Sequence, residues 1–384
     1  MASRRERQQL RKGGKREQAS AGGTRSTATV EKRAGKAGGG FLYRLYHDHH
    51  KLLLWFSLLI LFLAIVQIGV QTYQTGDFLN KGVTLKGGFT ITIPVEGEAV
   101  TADQVRSLLV KEFSNEDLRV QSISEFGTLK ALTIEVAQDN AETVPVLEKS
   151  IIAALTPLLP NAAADYSVEI VGSALGDTFF TQTMTAVTIA FFLMGMVLFF
   201  YFANGWKLKA LIAVLTVLES ILIYNLEGAL LWLCALPLGV LLAALYFRHS
   251  LPSVMVILCA FADIVGTLAI VNLLGIKVNT AGIAAFLMLI GYSVDTDILL
   301  STRVLKHKTG TVFERILSSL RTGMTMSVTS MVAAFIGFLV SQSATVREIM
   351  LIVSIGLLLD IIFTWCLNVG LLRWYVEKRL GWEV

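Results

Sequence analysis

The stretch IAAFLMLIGYSVDTDILLSTR, residues 283–303, decides how the rest of the chain is interpreted. It is long and apolar enough to cross a bilayer, yet it contains two carboxylates, Asp295 and Asp297. A carboxylate in hydrocarbon is costly, so such residues usually face a bundle interior or a wet cavity and mark ion or proton routes. Because about 200° of helix rotation separates the two acids, they face different sides. The alternative is a helix end that dips into water, with Arg303 as its interfacial anchor.

The composition indicates a protein that crosses the membrane several times. Hydrophobic residues make up 54% of the chain and charged residues only 16%. The three cysteines, Cys234, Cys259 and Cys366, lie far apart in apolar segments, so we expect neither a metal site nor a disulfide framework. The sequence contains no recognisable phosphate loop or Ser-His-Asp set, so we predict no cofactor and no enzymatic activity.

The first 40 residues are strongly basic, with eleven Lys or Arg against three Glu. Such a polar, charged stretch predicts a disordered cytoplasmic tail. One interpretation is attraction to anionic membrane lipid or to ribosomal RNA. The other is that the tail merely orients the first helix, since positive charge favours the cytoplasmic side.

Eight apolar segments approach the roughly 20 residues that span a bilayer. They run approximately over 52–72, 183–203, 208–225, 229–247, 253–274, 280–302, 323–341 and 348–372. Lys and Arg concentrate in the connections on the same side as the N-terminus, which is the positive-inside pattern. We therefore expect a multi-pass protein of the cell membrane with both termini in the cytoplasm.

The predicted organisation follows from these segments and the charged stretches between them. Its parts are a basic tail (1–40), a first transmembrane helix (41–72), an extracytoplasmic domain (73–182), a second transmembrane helix (183–203), an inserted two-helix hairpin (204–247), a four-helix segment with the Asp-bearing helix (248–375) and a cytoplasmic C-terminus (376–384).

The extracytoplasmic stretch 73–182 carries fifteen acidic and seven basic residues. Alternating apolar residues predict a strand at 89–93, and Thr101 with Gln104 forms a capping box that predicts a helix start. Further patterns predict two strands near 118–124 and 132–136, a helix over 144–155 and a strand over 166–170. The order βαββαβ predicts a ferredoxin-like α+β domain, a fold that says little about function.

Four short stretches carry a resemblance to a known family. Gly291-Tyr292-Ser293-Val294-Asp295, followed by Asp297 and Arg303, resembles the fourth-helix signature of SecF-type proteins, in its archaeal form. These belong to the SecD/SecF family of protein-export membrane proteins, within the resistance–nodulation–division superfamily. The other three stretches are Lys86-Gly87-Gly88 before the first strand, Asp263 in AFAD, and Ser319-Leu320-Arg321-Thr322.

The chain departs from the family pattern in two ways. SecF-type proteins usually have six helices, so the pair at about 204–247 looks like an insertion between the second and third. Bacterial members commonly have Asn-Asp where this chain has Asp295-Thr296, so the acid is displaced by one residue. Whether Asp295 or Asp297 is the working acid is therefore open.

The resemblance implies proton-driven assistance to polypeptide translocation. The implied partners are a SecD-like subunit, the Sec translocon channel and an unfolded secretory polypeptide. Asp295 is expected to be a buried carboxylate that Arg321 approaches from the next helix, so their separation would change proton affinity. Asp263 and Asp360 are expected as further relay members, whereas Asn368 and Glu219 are expected to be structural. The alternatives are a positive-inside anchor for Arg321 and a packed polar residue for Asp360.

Two other function classes compete with protein export. Asp263 and Asp295 on neighbouring helices suggest an intramembrane aspartyl protease whose dyad shares one proton, although the Gly-x-Gly-Asp pattern is absent. A small-molecule or lipid exporter of the resistance–nodulation–division type would need two related halves with two large outer loops. This sequence shows one such loop, which favours a half that works with a partner subunit.

Overall fold

The computed structural model describes residues 50–381, apart from 96–100, 114–116, 126–127, 138–142, 160–164, 227, 308–309 and 342. The predicted basic tail, 1–40, lies outside the described residues. The chain divides into two units, Met1–Trp55 and Phe56–Val384. Of the first unit, residues 50–55 are described, and they are helical.

Long apolar helices form most of the second unit. In chain order, the helices are α1 (His50–Thr75), α2 (Val83–Lys86), α3 (Ala102–Glu112), α4 (Val144–Leu155), α5 (Ser173–Phe202), α6 (Trp206–Asn225), α7 (Gly228–His249), α8 (Leu251–Leu273), α9 (Thr280–Leu305), α10 (Val312–Val340), α11 (Ala344–Ile362) and α12 (Val369–Tyr375). The π-helical segments Phe363–Asn368 and Val376–Leu380 continue α11 and α12 into one apolar rod, 344–379.

Six of these helices are long and apolar enough to cross a membrane. They are α1, α5, α8, α9, α10 and the rod that begins with α11. Helices α6 and α7 occupy the stretch predicted as an inserted hairpin, and the count of eight spanning helices stays a prediction. Helix α5 begins at Ser173 rather than near residue 183, because its first turns are polar and escape a hydropathy criterion while remaining helical.

The small domain between α1 and α5 contains a four-stranded antiparallel sheet. Its strands are β1 (Gly88–Pro94), β2 (Asp117–Glu125), β3 (Thr128–Ala137) and β4 (Ser167–Val171), in the sheet order β2-β3-β1-β4. The predicted capping box of Thr101 and Gln104 starts α3. Apolar side chains of alternate strand positions pack against α3 and α4, with Phe89 and Ile91 fully buried.

The domain is hydrogen-bonded directly to the helical bundle. Gly82 donates its N–H to the carbonyl of Val278 at 2.8 Å, and Val278 donates to the carbonyl of Asn80 at 2.8 Å. Asn279, which caps α9, donates its backbone N–H to Glu348 Oε1 of α11 at 2.7 Å. The Thr84 hydroxyl of α2 donates to Asn279 Oδ1 at 3.1 Å. The N-terminal ends of α9 and α11 are thus tied to the segment that leads into β1.

Candidate functional site

Three aspartates are fully buried where helices α8, α9 and α11 meet. Asp263 comes from α8, Asp297 from α9 and Asp360 from α11, and each is 0% exposed. The small residue Gly356 of α11 receives Leu289 of α9, which lets the two helices approach closely. All three acids were predicted as relay residues, and the structure brings them onto the inner faces of neighbouring helices.

Hydroxyl groups connect the three carboxyls into one network, because Ser293 hydrogen-bonds both Asp263 and Asp360 and Thr364 contacts both Asp360 and Asp297. Ser293 donates to Asp263 Oδ2 through a short hydrogen bond. Thr364 Oγ1 lies 2.9 Å from Asp297 Oδ1 and 3.0 Å from Asp360 Oδ1. A hydroxyl carries one proton, so it donates fully to one of these carboxyls and accepts from the other. Two well-formed bonds at Thr364 therefore require a proton on Asp297 or Asp360.

Further hydrogen-bond partners of the network are neutral. Asn368 Nδ2 donates to Asp297 Oδ1 at 2.7 Å, and Ser327 of α10 donates to Asp360 Oδ2 at 3.1 Å. Asp263 Oδ1 and Asp297 Oδ2 are buried without a hydrogen-bond partner in the described part of the chain. Desolvation and mutual repulsion make simultaneous ionisation of three such carboxyls costly. Ionisation of one of these carboxyls therefore changes the cost of ionising the others.

Asp295 has different surroundings from Asp297. It is exposed and lines an open cavity of about 650 Å³ together with Tyr292 and Arg321. The expectation that Asp295 is the buried carboxylate is wrong, because two residues of helix turn it away from the core. Asp295 and Arg321 line the same cavity, and their predicted pairing stays a prediction. The structure places Asp263 in a network with Asp297, so the protease dyad of Asp263 with Asp295 is not formed.

The double-glycine motif lies away from the acids, where the small domain meets helix α5. Gly87 ends α2 with a φ of +94°, a backbone conformation that favours glycine. A Cβ on Gly87 would lie 2.6 Å from Ser173 Cα. A Cβ on Gly176 would lie 2.9 Å from the backbone nitrogen of Gly87. The motif Lys86-Gly87-Gly88 therefore permits close backbone packing at the entry to α5.

The motif residues Gly291, Tyr292 and Ser293 lie on different faces of α9. Ser293 is buried beside Asp263, whereas Tyr292 is exposed at the cavity of Asp295. Gly291 is also exposed, and a Cβ there would have no atom within 4 Å. Ser293 is thus the motif residue that joins the acid network.

Sequence reasoning did not identify the residues that join the acids. Thr364 has no assigned role in the sequence analysis, and Asn368 was expected to be structural. Asp360, Thr364 and Asn368 repeat at four-residue intervals on an otherwise apolar helix, and that spacing places them on one face. Thr364 and Asn368 also lie in the π-helical segment Phe363–Asn368, and such segments occur frequently at functional sites.

Comparisons with known proteins agree with these features. The family model for the C-terminal part of protein export membrane proteins SecD/SecF matches residues 151–226 and 216–378. The protein-export membrane protein SecF of Pyrococcus furiosus is 31% identical over 87% of this chain and 93% of its own length. That of Methanothermobacter thermautotrophicus is 32% identical over 78% of this chain and 86% of its own.

A solved structure also matches the chain at low identity. It is SecDF, a translocon-associated membrane protein from Thermus thermophilus, with 18% identity and a TM-score of 0.49 over 88% of this chain. This chain spans 42% of that protein's length. The SecF relatives match most of the chain, and the family model covers all three buried aspartates. The chain is therefore a multi-pass membrane protein that belongs to the SecD/SecF family of protein-export membrane proteins.

Proposed function

We infer that this chain is a SecF-like subunit of the protein-export machinery, which uses the proton gradient to assist polypeptide translocation. Its relatives are named as protein-export membrane proteins, and they match over most of its length. The single observation that carries the proton step is the position of Thr364, within hydrogen-bond distance of both Asp297 and Asp360. That arrangement needs a carboxyl proton, and it can pass that proton between two helices.

Proton exchange in the network acts on the packing of α9 against α11. When Asp297 alone is ionised, Thr364 and Asn368 donate to it, and repulsion between the acids is low. When the network is more fully ionised, repulsion between Asp297 and Asp360 favours separation of the two helices. A proton gradient that loads the network from one side and unloads it on the other would alternate these packings.

The link to the outer domain runs through the capping residue of α9. Asn279 contacts Glu348 of α11 and Thr84 of α2, and α2 leads directly into β1. A relative movement of α9 and α11 would therefore reach the sheet. We propose that the outer domain, a ferredoxin-like βαββαβ unit, holds an emerging unfolded polypeptide. The sheet order β2-β3-β1-β4 with all neighbours antiparallel supports that fold assignment.

Several parts of the assembly are included in this proposal. A SecD-like subunit would pack against the membrane part, and the exposed side of Asp295 and Arg321 supplies a polar surface for it. The Sec channel and the secretory polypeptide are the further partners, and membrane lipid surrounds the bundle.

We propose eight spanning helices, with α6 and α7 as the extra pair. Both termini would then lie in the cytoplasm, as the distribution of Lys and Arg supports.

The decisive experiment compares two acids that lie two residues apart on α9. Asp297→Asn keeps the shape of a buried side chain but removes its exchangeable proton, so we expect gradient-dependent export to be lost. Asp295→Asn is the matched control, and we expect it to retain most of that export because Asp295 lies outside the network. Export is measured with and without a proton gradient, at equal membrane levels of both variants. Full gradient-dependent export by Asp297→Asn contradicts the proposed proton step.

A further inference from the structure

Glu219 is a fourth buried membrane carboxyl, and it lies outside the aspartate network. It belongs to α6, is 2% exposed, and its Oε2 has no hydrogen-bond partner among the described residues. An unpartnered carboxyl away from water is costly whether it is charged or neutral. The aspartate network does not account for this buried carboxyl, so we consider the cavity beside it.

Glu219 lines a cavity of about 940 Å³ formed by α5, α6 and α7. Tyr224 and Leu236 stand at its exposed rim, with 75% and 55% of their surface accessible. Helix α5 leaves the outer domain, so the α6–α7 turn lies on that domain's side of the bundle. Glu219 is six residues before the end of α6, about 9 Å from that turn along the helix axis. The cavity is thus a pocket in the half of the bundle nearest the outer domain.

The pocket combines one acidic group with hydroxyls and apolar walls. Thr181, Thr185 and Thr188 lie on one face of α5 and line it. The Thr188 hydroxyl donates to the carbonyl of Met184 at 2.9 Å, which leaves its oxygen able to accept another bond. Aromatic and aliphatic side chains form the rest of the wall, as in pockets for small amphipathic ligands.

Space is left directly beside the carboxyl. A Cβ on Gly239 of α7 would lie 3.4 Å from Glu219 Oε1 and 3.9 Å from the ring of Phe192. Any larger side chain at position 239 would extend further toward the acid or into the pocket. Glycine here keeps Glu219 reachable from the cavity.

We propose that this pocket binds an amphiphile with one protonated amine, whose cation lies against Glu219 and whose hydrocarbon lies along the apolar wall. An ammonium group offers up to three N–H donors and a charge for the unpartnered carboxyl oxygen, while threonine oxygens accept the remaining donors. The ring of Phe192 adds a cation–π surface. The amine comes either from a free amphiphile or from the headgroup of a membrane lipid, and both sources present the same chemistry.

The test uses the full chain in phosphatidylglycerol nanodiscs, with dodecylamine as probe and native mass spectrometry as readout. We expect one bound dodecylamine on the unmodified chain and about tenfold or more weaker binding to Glu219→Gln, since a charge-assisted contact is lost. Dodecanol, which has the same tail without the charge, should bind at least as weakly as dodecylamine binds Glu219→Gln. Glu112→Gln removes an exposed carboxylate of the outer domain and is expected to bind like the unmodified chain.

A second variant tests whether binding also needs the free volume beside Glu219. Gly239→Val leaves Glu219 in place but fills the pocket, and we expect it to lose dodecylamine binding as well. The same measurement is repeated in nanodiscs that contain phosphatidylethanolamine. If this lipid displaces dodecylamine and stays bound to the unmodified chain but not to Glu219→Gln, the lipid headgroup is the source of the amine. Undisturbed dodecylamine binding there identifies a free amphiphile. Equal dodecylamine binding by the unmodified chain and Glu219→Gln, equal binding of dodecanol, or no binding at all would overturn the proposal.

Discussion

Asp297 and Glu219 are both buried in the helix bundle, yet their surroundings differ. Asp297 accepts hydrogen bonds from Thr364 and Asn368 and is packed among α8, α9 and α11. Glu219 adjoins a cavity, and its Oε2 has no hydrogen-bond partner in the part of the chain that the structure describes. Burial alone therefore does not define what a membrane carboxyl does. The hydrogen-bond partners and the free volume around each carboxyl are the basis for the different roles proposed for Asp297 and Glu219.

The comparison is tested most strongly by replacing Asp297 with an apolar side chain. Asp297→Leu leaves the buried Asn368 amide without its acceptor and removes one of the two carboxyls that Thr364 contacts, so we expect a loss of about 1–3 kcal/mol in the free energy of unfolding. Thermal unfolding in detergent measures the change. Asp295→Leu on the exposed face is the control and should change stability by about 0.5 kcal/mol or less. Equal losses in the two variants would mean that the network contributes no stability.

The next largest effect concerns proton transfer rather than stability. Thr364→Val removes the hydroxyl shared by Asp297 and Asp360, and we expect gradient-dependent export to fall about 100-fold, as when a proton-transfer group is removed. Thr364→Ser keeps the hydroxyl and should retain most of the rate. Export into vesicles with an imposed proton gradient provides the measurement. If valine and serine behave alike, the hydroxyl does not carry the proton.

For Glu219, the sign of the stability change is expected to be opposite to that for Asp297. Glu219→Leu removes an unpartnered buried polar group, so we expect unfolding to become more costly by about 1–3 kcal/mol in the absence of ligand. The same thermal unfolding measurement applies, with Glu112→Gln as a surface control. A destabilised Glu219→Leu variant would show that the carboxyl has a stabilising partner within the chain.

The smallest effect extends the comparison to a buried carboxyl outside the membrane. Burial raises the pKa of Glu135 on β3 above 4.5, Arg119 lowers it, Glu348 raises it and Lys277 lowers it. The folded domain therefore holds a proton that the unfolded chain releases, so domain stability should fall as pH rises from about 4.5 through the raised pKa. Glu135→Gln should remove this slope. Hydrogen exchange of the domain in the full chain, from pH 4 to pH 7, measures this dependence of stability on pH. Glu169→Gln, at an exposed residue of β4, is the control and should leave the slope unchanged.

The small domain that contains the sheet shows how far local patterns can be read from sequence. The strand at 89–93, the capping box at Thr101 and the helix over 144–155 were all predicted, and each appears within a residue or two of its expected limits. Period-two alternation and capping chemistry act over a few residues, so they are visible without knowledge of the fold. The start of α5 at Ser173 was missed because a polar helical extension resembles a loop by hydropathy.

The family, the apolar helices and the opposite facing of Asp295 and Asp297 were determined by the sequence itself, because spacing along a helix fixes the relative direction of two side chains. Which of those two faces is buried was decided only by the packing of α9 against α8 and α11. The same packing placed Thr364 between two aspartates that are 63 residues apart in the chain, Asp297 and Asp360. It also placed Glu219 beside a cavity. Contacts between distant segments depend on how whole helices fit together, and a local pattern holds no information about that fit.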